Sequence, residues 1–151
     1  MSARLTIDTP TGPLTLTEEA GALTQVTWGG GGDDDTVLLR AAAGQLTAYF
    51  DGKRTEFDLP LKLSGSATQR GVCTAIAAIP FGETRTYGEI ARDLGLPAQA
   101  VGQGCGANPL PIVIPCHRVL GAHGLGGFSG GAGVETKVWL LRHEGAGGFL
   151  I

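Results

Sequence analysis

Cysteine is scarce in this chain of 151 residues: Cys73, Cys105 and Cys116 are too few and too widely spaced for a disulfide framework or a zinc motif. A reducing, cytoplasmic setting follows as the expectation. No apolar run approaches the roughly 18 residues that a membrane span requires, so no membrane partner is expected. The opening stretch, MSARLTIDTP, has no basic head before an apolar core, and no secretory signal is expected from it. Basic residues are not in excess either: the net charge is −3, which ordinarily argues against a nucleic-acid partner. What is plentiful is apolar material, at 42%, enough for a core in one domain or two very small ones. Glycine is plentiful too, at 26 residues against an average of roughly 7% of a chain. It follows no G-X-Y period, which excludes collagen.

The charge is unevenly distributed. Residues 1–66 hold five basic and nine acidic side chains, a balance of −4, whereas residues 67–151 hold six and five, a balance of +1. DNA therefore stays open as a partner for the C-terminal part. The pattern of apolar residues divides at a similar place. Leu5 and Ile7, Leu14 and Leu16, and Val26 and Trp28 alternate with polar neighbours as half-buried strands do, with a hairpin turn at Glu18-Glu19-Ala20-Gly21. Leu39, Leu46 and Phe50 share one face of a helix over about 36–50. Phe57, Leu59, Leu61 and Leu63 alternate again, and Pro60 puts that run at a sheet edge. Ser64-Gly65-Ser66 is the linker, which predicts domains over 1–65 and 66–151.

Beyond the linker the period becomes helical. Val72, Ile76 and Ile79 form a stripe that Pro80-Phe81-Gly82 ends. Thr86 and Glu89 make a capping box for a helix with Tyr87, Ile90, Ala91 and Leu94 on its apolar face and Gly95 as its stop. Pro97 starts another helix over 98–105, so the pair predicts a helix-turn-helix. Gly102, Gly104 and Gly106 weaken the second helix by about 1 kcal/mol each. They make either a poor helix or a bare face that a phosphate backbone can approach. Residues 108–119 carry Pro109, Pro111 and Pro115 around a β-branched run, which predicts an isolated extended segment presenting Cys116. Seven glycines in residues 121–133 predict a loop, and Val134, Val138 and Leu141 mark a last helix ending near Glu144-Gly145.

Chemistry concentrates at one cysteine. Cys73 lies within an apolar stripe and reads as core, and nothing near Cys105 activates it. Cys116 is followed by His117 and Arg118, and cationic neighbours raise the thiolate fraction. In an extended segment adjacent side chains point apart, so His117 reaches the sulfur through a water, and Glu144 on the last helix could orient the imidazole. From these residues alone, Cys116 stands evenly between nucleophile and core.

Asn108-Pro109 through Pro115-Cys116-His117-Arg118-Val119 resembles the active-site segment of the O6-alkylguanine-DNA alkyltransferases, the methylated-DNA–protein-cysteine methyltransferases. The resemblance runs from about Val72 to Gly145 and includes Ile79-Pro80-Phe81-Gly82-Glu83, Thr86-Tyr87, Ala100-Val101-Gly102, Phe128-Ser129-Gly130-Gly131 and Trp139-Leu140-Leu141. It implies an α+β protein: a small N-terminal antiparallel sheet with a helix, ribonuclease H-like, then a mainly helical, winged-helix-like domain containing the helix-turn-helix. It implies irreversible transfer of an alkyl group from guanine O6 in double-stranded DNA to Cys116, once per molecule, after the base is flipped out. His117 would be the water-mediated base, Glu144 the partner of the imidazolium, Tyr87 a hydrogen-bond donor to the departing guanine, and Asn108 the hinge. The recognition helix would lie in the minor groove, with Thr86, Ala98, Gln99, Ala100, Gly102, Gly104 and Arg118 at the DNA. Gln99 stands where relatives carry an arginine that fills the vacated stack. Pro111, Val119, Phe128, Ser129 and Gly130 would line the alkyl pocket. A monomer without cofactor is expected, and no zinc site, because residues 1–70 contain neither cysteine nor histidine. Two other readings remain open: a lesion-binding sensor without transfer, whose members have tryptophan in place of the nucleophile, and an unrelated cysteine hydrolase.

Overall fold

Residues 2–146 are described by the computed structural model, in two compact units, one ending at Leu63 and one beginning at Ser64. The first opens with an antiparallel meander of β1 (Ser2–Ile7), β2 (Leu14–Glu19) and β3 (Ala22–Trp28). Leu5 faces Leu16, and Leu16 faces Val26, so the alternating apolar residues share one side. The β2–β3 turn is Ala20-Gly21, with φ of 52° and 79°. Two successive positive φ values give the tight hairpin whose twist matches that of the strands. Helix α1 (Val37–Phe50) starts at Thr36, whose hydroxyl accepts from the Leu39 N–H at 3.0 Å. Leu39, Ala42, Leu46 and Tyr49 recur at helical spacing, are fully buried, and lie on the face packed against the sheet.

The strand expected around residues 57–63 is not formed. Leu61 makes only a single parallel bridge to Leu23. Pro60 has no N–H to donate, and the Gln45 side chain takes both backbone groups of Asp58, at 2.8 and 2.9 Å. The groups a ladder needs are therefore missing or already engaged.

In the second unit, helix α2 (Ala67–Ala77) is capped by Ser66 and buries Val72, Cys73 and Ile76. A two-residue strand β4 (Arg85–Thr86) leads into α3 (Tyr87–Leu94), where the Thr86–Glu89 capping box is formed and Gly95 closes the helix at φ 69°. Helix α4 (Ala98–Gly106) follows Pro97 and packs on α3 and α2, completing the helix-turn-helix. Strand β5 (Val119–Leu120) pairs in parallel with β4, Arg85 opposite Val119, and so ties the entry of α3 to the Cys116 segment. Helix α5 (Val134–His143) closes the unit. The architecture is α+β, as expected. Among the described residues no helix is long and apolar enough to cross a membrane.

Two local expectations are corrected. Residues 108–119 are not extended. The chain turns back at Ile112 (φ 73°), Ile114 N–H donates to Leu110 O at 2.8 Å, and Cys116–Arg118 form a 3-10 turn. Three prolines remove the donors a ladder would use, and the Asn108 amide gathers the coil: its Nδ2 donates to Ile114 O at 2.8 Å and its Oδ1 accepts from Leu110 N–H at 3.0 Å. The inward face of α5 is also not the Val134–Val138 one, since Val134 is exposed. It is Thr136, Lys137, Leu140 and Leu141, continued by Glu144.

Candidate active site

The 3-10 turn places Cys116, His117 and Arg118 in the interior, all three buried. Successive side chains of such a turn diverge by about a third of a circle, so His117 and Cys116 are not thrown to opposite sides as in a strand. Glu144, just past the end of α5, receives the two basic residues. Its Oε2 pairs with His117 Nε2 at 2.8 Å, and Arg118 binds both its oxygens, Nε to Oε1 at 2.8 Å and Nη2 to Oε2 at 2.9 Å. Burial alone would raise the Glu144 pKa, but the hydrogen bonds from His117 and Arg118 bring it down to about 2. The carboxylate is therefore ionised, and His117 Nε2 carries the hydrogen in their shared bond. His117 Nδ1 is left as an acceptor, buried and without a protein partner. Burial lowers the His117 pKa, against the pull of Glu144, so the resting ring is neutral. The Cys116 thiol is pushed up by burial, opposed by a hydrogen bond with the Asn108 side chain and by the charge of Lys137.

Arg118 corrects an expectation. It was expected at the DNA, but its guanidinium faces inward, with Nη1 donating to Ile79 O at 2.6 Å and the Phe81 ring 5.8 Å away. All its donor edges serve the interior, because a carboxylate as buried as Glu144 needs a forked cation beside it. Gly104 is the second correction. A Cβ there would lie 2.6 Å from Val72 Cγ1, so this glycine lets α4 press onto α2 and does not face outward. Gly102 has nothing within 4 Å of a Cβ, Ala98 and Gln99 are exposed, and Ala100 is half-buried. These remain available on the outer side of α4. Thr86 spends its hydroxyl on the α3 cap, accepting from Glu89 N–H at 3.1 Å.

Tyr87, the first residue of α3, is half-buried, and its pKa is raised mainly by burial, with negative charge on Cys105 or Cys116, when ionised, acting in the same direction. The glycine loop packs against it: Gly126 has φ 71°, and a Cβ there would meet the Tyr87 ring at 2.8 Å. Only glycine fits. Pro111, Phe128 and Gly130 are half-buried and Ser129 is exposed, while Val119 has no exposed surface and is core under the loop, not a wall of a pocket.

One residue absent from the expectations belongs to this cluster. Lys137 on α5 is fully buried, and its ammonium donates to the carbonyls of Val119 (2.7 Å), Leu125 (2.6 Å) and Gly127 (3.1 Å). A signal for it existed in the spacing. Lys137 and Glu144 stand on the same helical stripe as Leu140 and Leu141, where two charged residues among apolar ones call for partners.

A helix-turn-helix in one unit with a buried cysteine, histidine and carboxylate defines the class: a nucleic-acid-binding scaffold built around a buried thiol and a histidine–carboxylate pair. Residues 67–146 match the DNA-binding domain of 6-O-methylguanine DNA methyltransferase, and residues 4–63 match its ribonuclease-like domain. A methylated-DNA–protein-cysteine methyltransferase of Mycolicibacterium paratuberculosis is 49% identical over 150 residues, covering 92% of this chain and 90% of that one. The crystal structure of the Mycobacterium tuberculosis O6-methylguanine methyltransferase superposes with a TM-score of 0.86 at 42% identity, covering 97% of this chain and 94% of that chain. A structure of the M. tuberculosis protein in complex with DNA gives the same TM-score, 0.86, at 44% identity over 95% and 93% of the two chains. The chain belongs to the methylated-DNA–protein-cysteine methyltransferase family.

Proposed function

We propose that this protein repairs double-stranded DNA by taking the alkyl group of O6-alkylguanine onto Cys116, once per molecule. The observation that carries the reading is the buried array of Cys116, His117 and Glu144, with the imidazole held at 2.8 Å by an ionised carboxylate. The thiol proton passes through a water to His117 Nδ1, and Glu144 stabilises the imidazolium. The thiolate attacks the alkyl carbon; the S–C bond forms as the C–O6 bond breaks, and the electron pair leaves on guanine. The Tyr87 hydroxyl donates to the departing base and offsets its charge. The thioether that results is not hydrolysed at useful rates, so the protein is consumed. Asn108 acts as the hinge, its amide joining the end of α4 to the Cys116 segment.

The helix-turn-helix presents Ala98, Gln99, Ala100 and Gly102 to the minor groove, with Thr86 alongside. The base swings out into a pocket of Pro111, Phe128, Ser129 and Gly130. The protein acts as a cytoplasmic monomer without a cofactor. A sensor that binds without transfer would have no use for a thiol in this array, so Cys116 weighs against that reading.

Incubation with a duplex oligonucleotide containing O6-methylguanine, followed by peptide mass spectrometry, tests the proposal. The expected product is a Cys116 peptide heavier by one methyl group, formed in a single turnover and absent from Cys116→Ser. Tight binding with an unmodified Cys116 peptide would leave the sensor reading, and repeated turnover would leave the hydrolase.

A further inference from the structure

The charges of the buried cluster do not balance. Glu144 is matched by Arg118, His117 is neutral at rest, and Cys116 is a thiol. Lys137 is then a surplus positive charge, with no exposed surface and only carbonyls as hydrogen-bond partners. Taking an ammonium out of water costs several kcal/mol, and neutral carbonyls recover only part of it. Three carbonyls match three N–H donors, so the protonated form is the one that fits; a neutral amine would have two. The carbonyls come from β5 and from both sides of Gly126, the residue that presses on Tyr87, and the ammonium lies 5.9 Å from the Tyr87 ring centroid. One cation thus holds the pocket loop, the strand that follows the nucleophile, and the aromatic floor of the site.

We infer that Lys137 is a positioning residue for the transfer, fastening the 125–127 loop under Tyr87 and supplying the positive charge that lets the buried Cys116 sulfur ionise. The titratable groups facing it are Cys116 on the 3-10 turn, Cys105 on α4, Tyr87 on α3 and, more weakly, His117. Burial draws its pKa down to about 8, and a thiolate at Cys116 or Cys105 would raise it again. Cys105 is itself pushed up to about 12, mainly by burial, and stays a thiol, so it does not consume the charge. When Cys116 gives its proton to His117 the net charge of the cluster is unchanged, but the new imidazolium is held by Glu144 and the new thiolate is attracted by the Lys137 ammonium. This inference rests on Cys116 being the nucleophile, but its test does not need a DNA lesion.

The test is the pH dependence of Cys116 carboxamidomethylation by iodoacetamide, read on the Cys116 peptide so that Cys73 and Cys105 do not contribute. In Lys137→Met, folded by circular dichroism, the profile should move to higher pH, with labelling about tenfold slower near neutrality and the native rate regained in alkali. Lys137→Arg keeps the charge and should keep the native onset, even if the altered fork slows methyl transfer. An unshifted profile in folded Lys137→Met would overturn the inference and leave Lys137 a structural tie only. If that variant does not fold, loss of the native onset in folded Lys137→Arg overturns it equally. A shifted profile in a protein whose wild type never accepts a methyl group would sink the repair reading and leave the thiol assignment standing.

Discussion

The two units solve the problem of a small core in opposite ways. The interior of the first includes Leu14, Leu16, Leu23, Leu39, Leu46 and Tyr49, and among the described residues its buried polar side chains are two threonines, Thr15 and Thr17. Leucines of one face and strands of one sheet suffice, and nothing there needs a particular charge. The second unit, somewhat larger, buries His117, Arg118, Lys137 and Glu144. Buried ion pairs contribute little to stability compared with apolar residues of the same shape, so their presence marks a site whose chemistry sets the composition. What the contrast teaches is where damage will show. Losses in the first unit should be losses of stability, and losses in the second should strike stability and reactivity together.

The sharpest test of that contrast is Glu144→Gln. It strands the Arg118 guanidinium and removes the partner of His117, so urea unfolding should show a loss of about 3–5 kcal/mol, and methyl transfer per folded molecule should fall by orders of magnitude. The pH dependence has a defined sign. The Glu144 pKa in the folded protein, about 2, lies below its ordinary value of 4.5, so its stabilisation is complete above pH 4.5. That contribution drains away as pH falls towards 2, and the Gln variant should lack that acid limb. A variant that keeps both stability and transfer would break the comparison.

Leu46→Ala comes next. A fully buried leucine between α1 and the sheet should cost about 2–5 kcal/mol on truncation. Cys116 labelling per folded molecule should stay within about twofold of wild type, since every member of the site lies beyond Ser64. A shifted Cys116 pH profile in Leu46→Ala would show that the units are not energetically separate. The smallest effect belongs to the surface of α4. Gln99→Arg should leave stability within about 0.5 kcal/mol, speed repair severalfold in duplex DNA, and leave the reaction with free O6-methylguanine base unchanged. Equal acceleration on both substrates would mean that residue 99 acts on the chemistry and not on base extrusion.

Much of this was readable from residue order, for reasons that differ by element. Strands β1 to β3, α1, α2 and the α3 capping box depend on neighbours within a few positions, and apolar period and caps report them well. Cys116, His117, Glu144, Tyr87 and Asn108 were identifiable through their resemblance to a family. Composition and charge alone left Cys116 evenly placed. The failures were places where distant residues compete for backbone or space. Gln45 takes the Asp58 backbone that a strand would have used, and Asn108 folds back a segment whose prolines suggest extension. Val72 claims Gly104, and Glu144 claims Arg118.

Periodicity, capping and motif thus indicated most of the elements, their order, and which cysteine is the candidate nucleophile, because each is a local property of the chain. The partners of the charged groups were a matter for the folded protein alone. Arg118 reads identically in sequence whether it points to DNA or to Glu144, and the spacing of Lys137 says that it needs partners but not which carbonyls supply them. A charge is cheap in water and costly in a core, and only packing says which of the two it meets. The scarcity of cysteine and of net positive charge was real, but neither foretold one ammonium buried against three carbonyls and the Tyr87 ring, an arrangement set by tertiary structure.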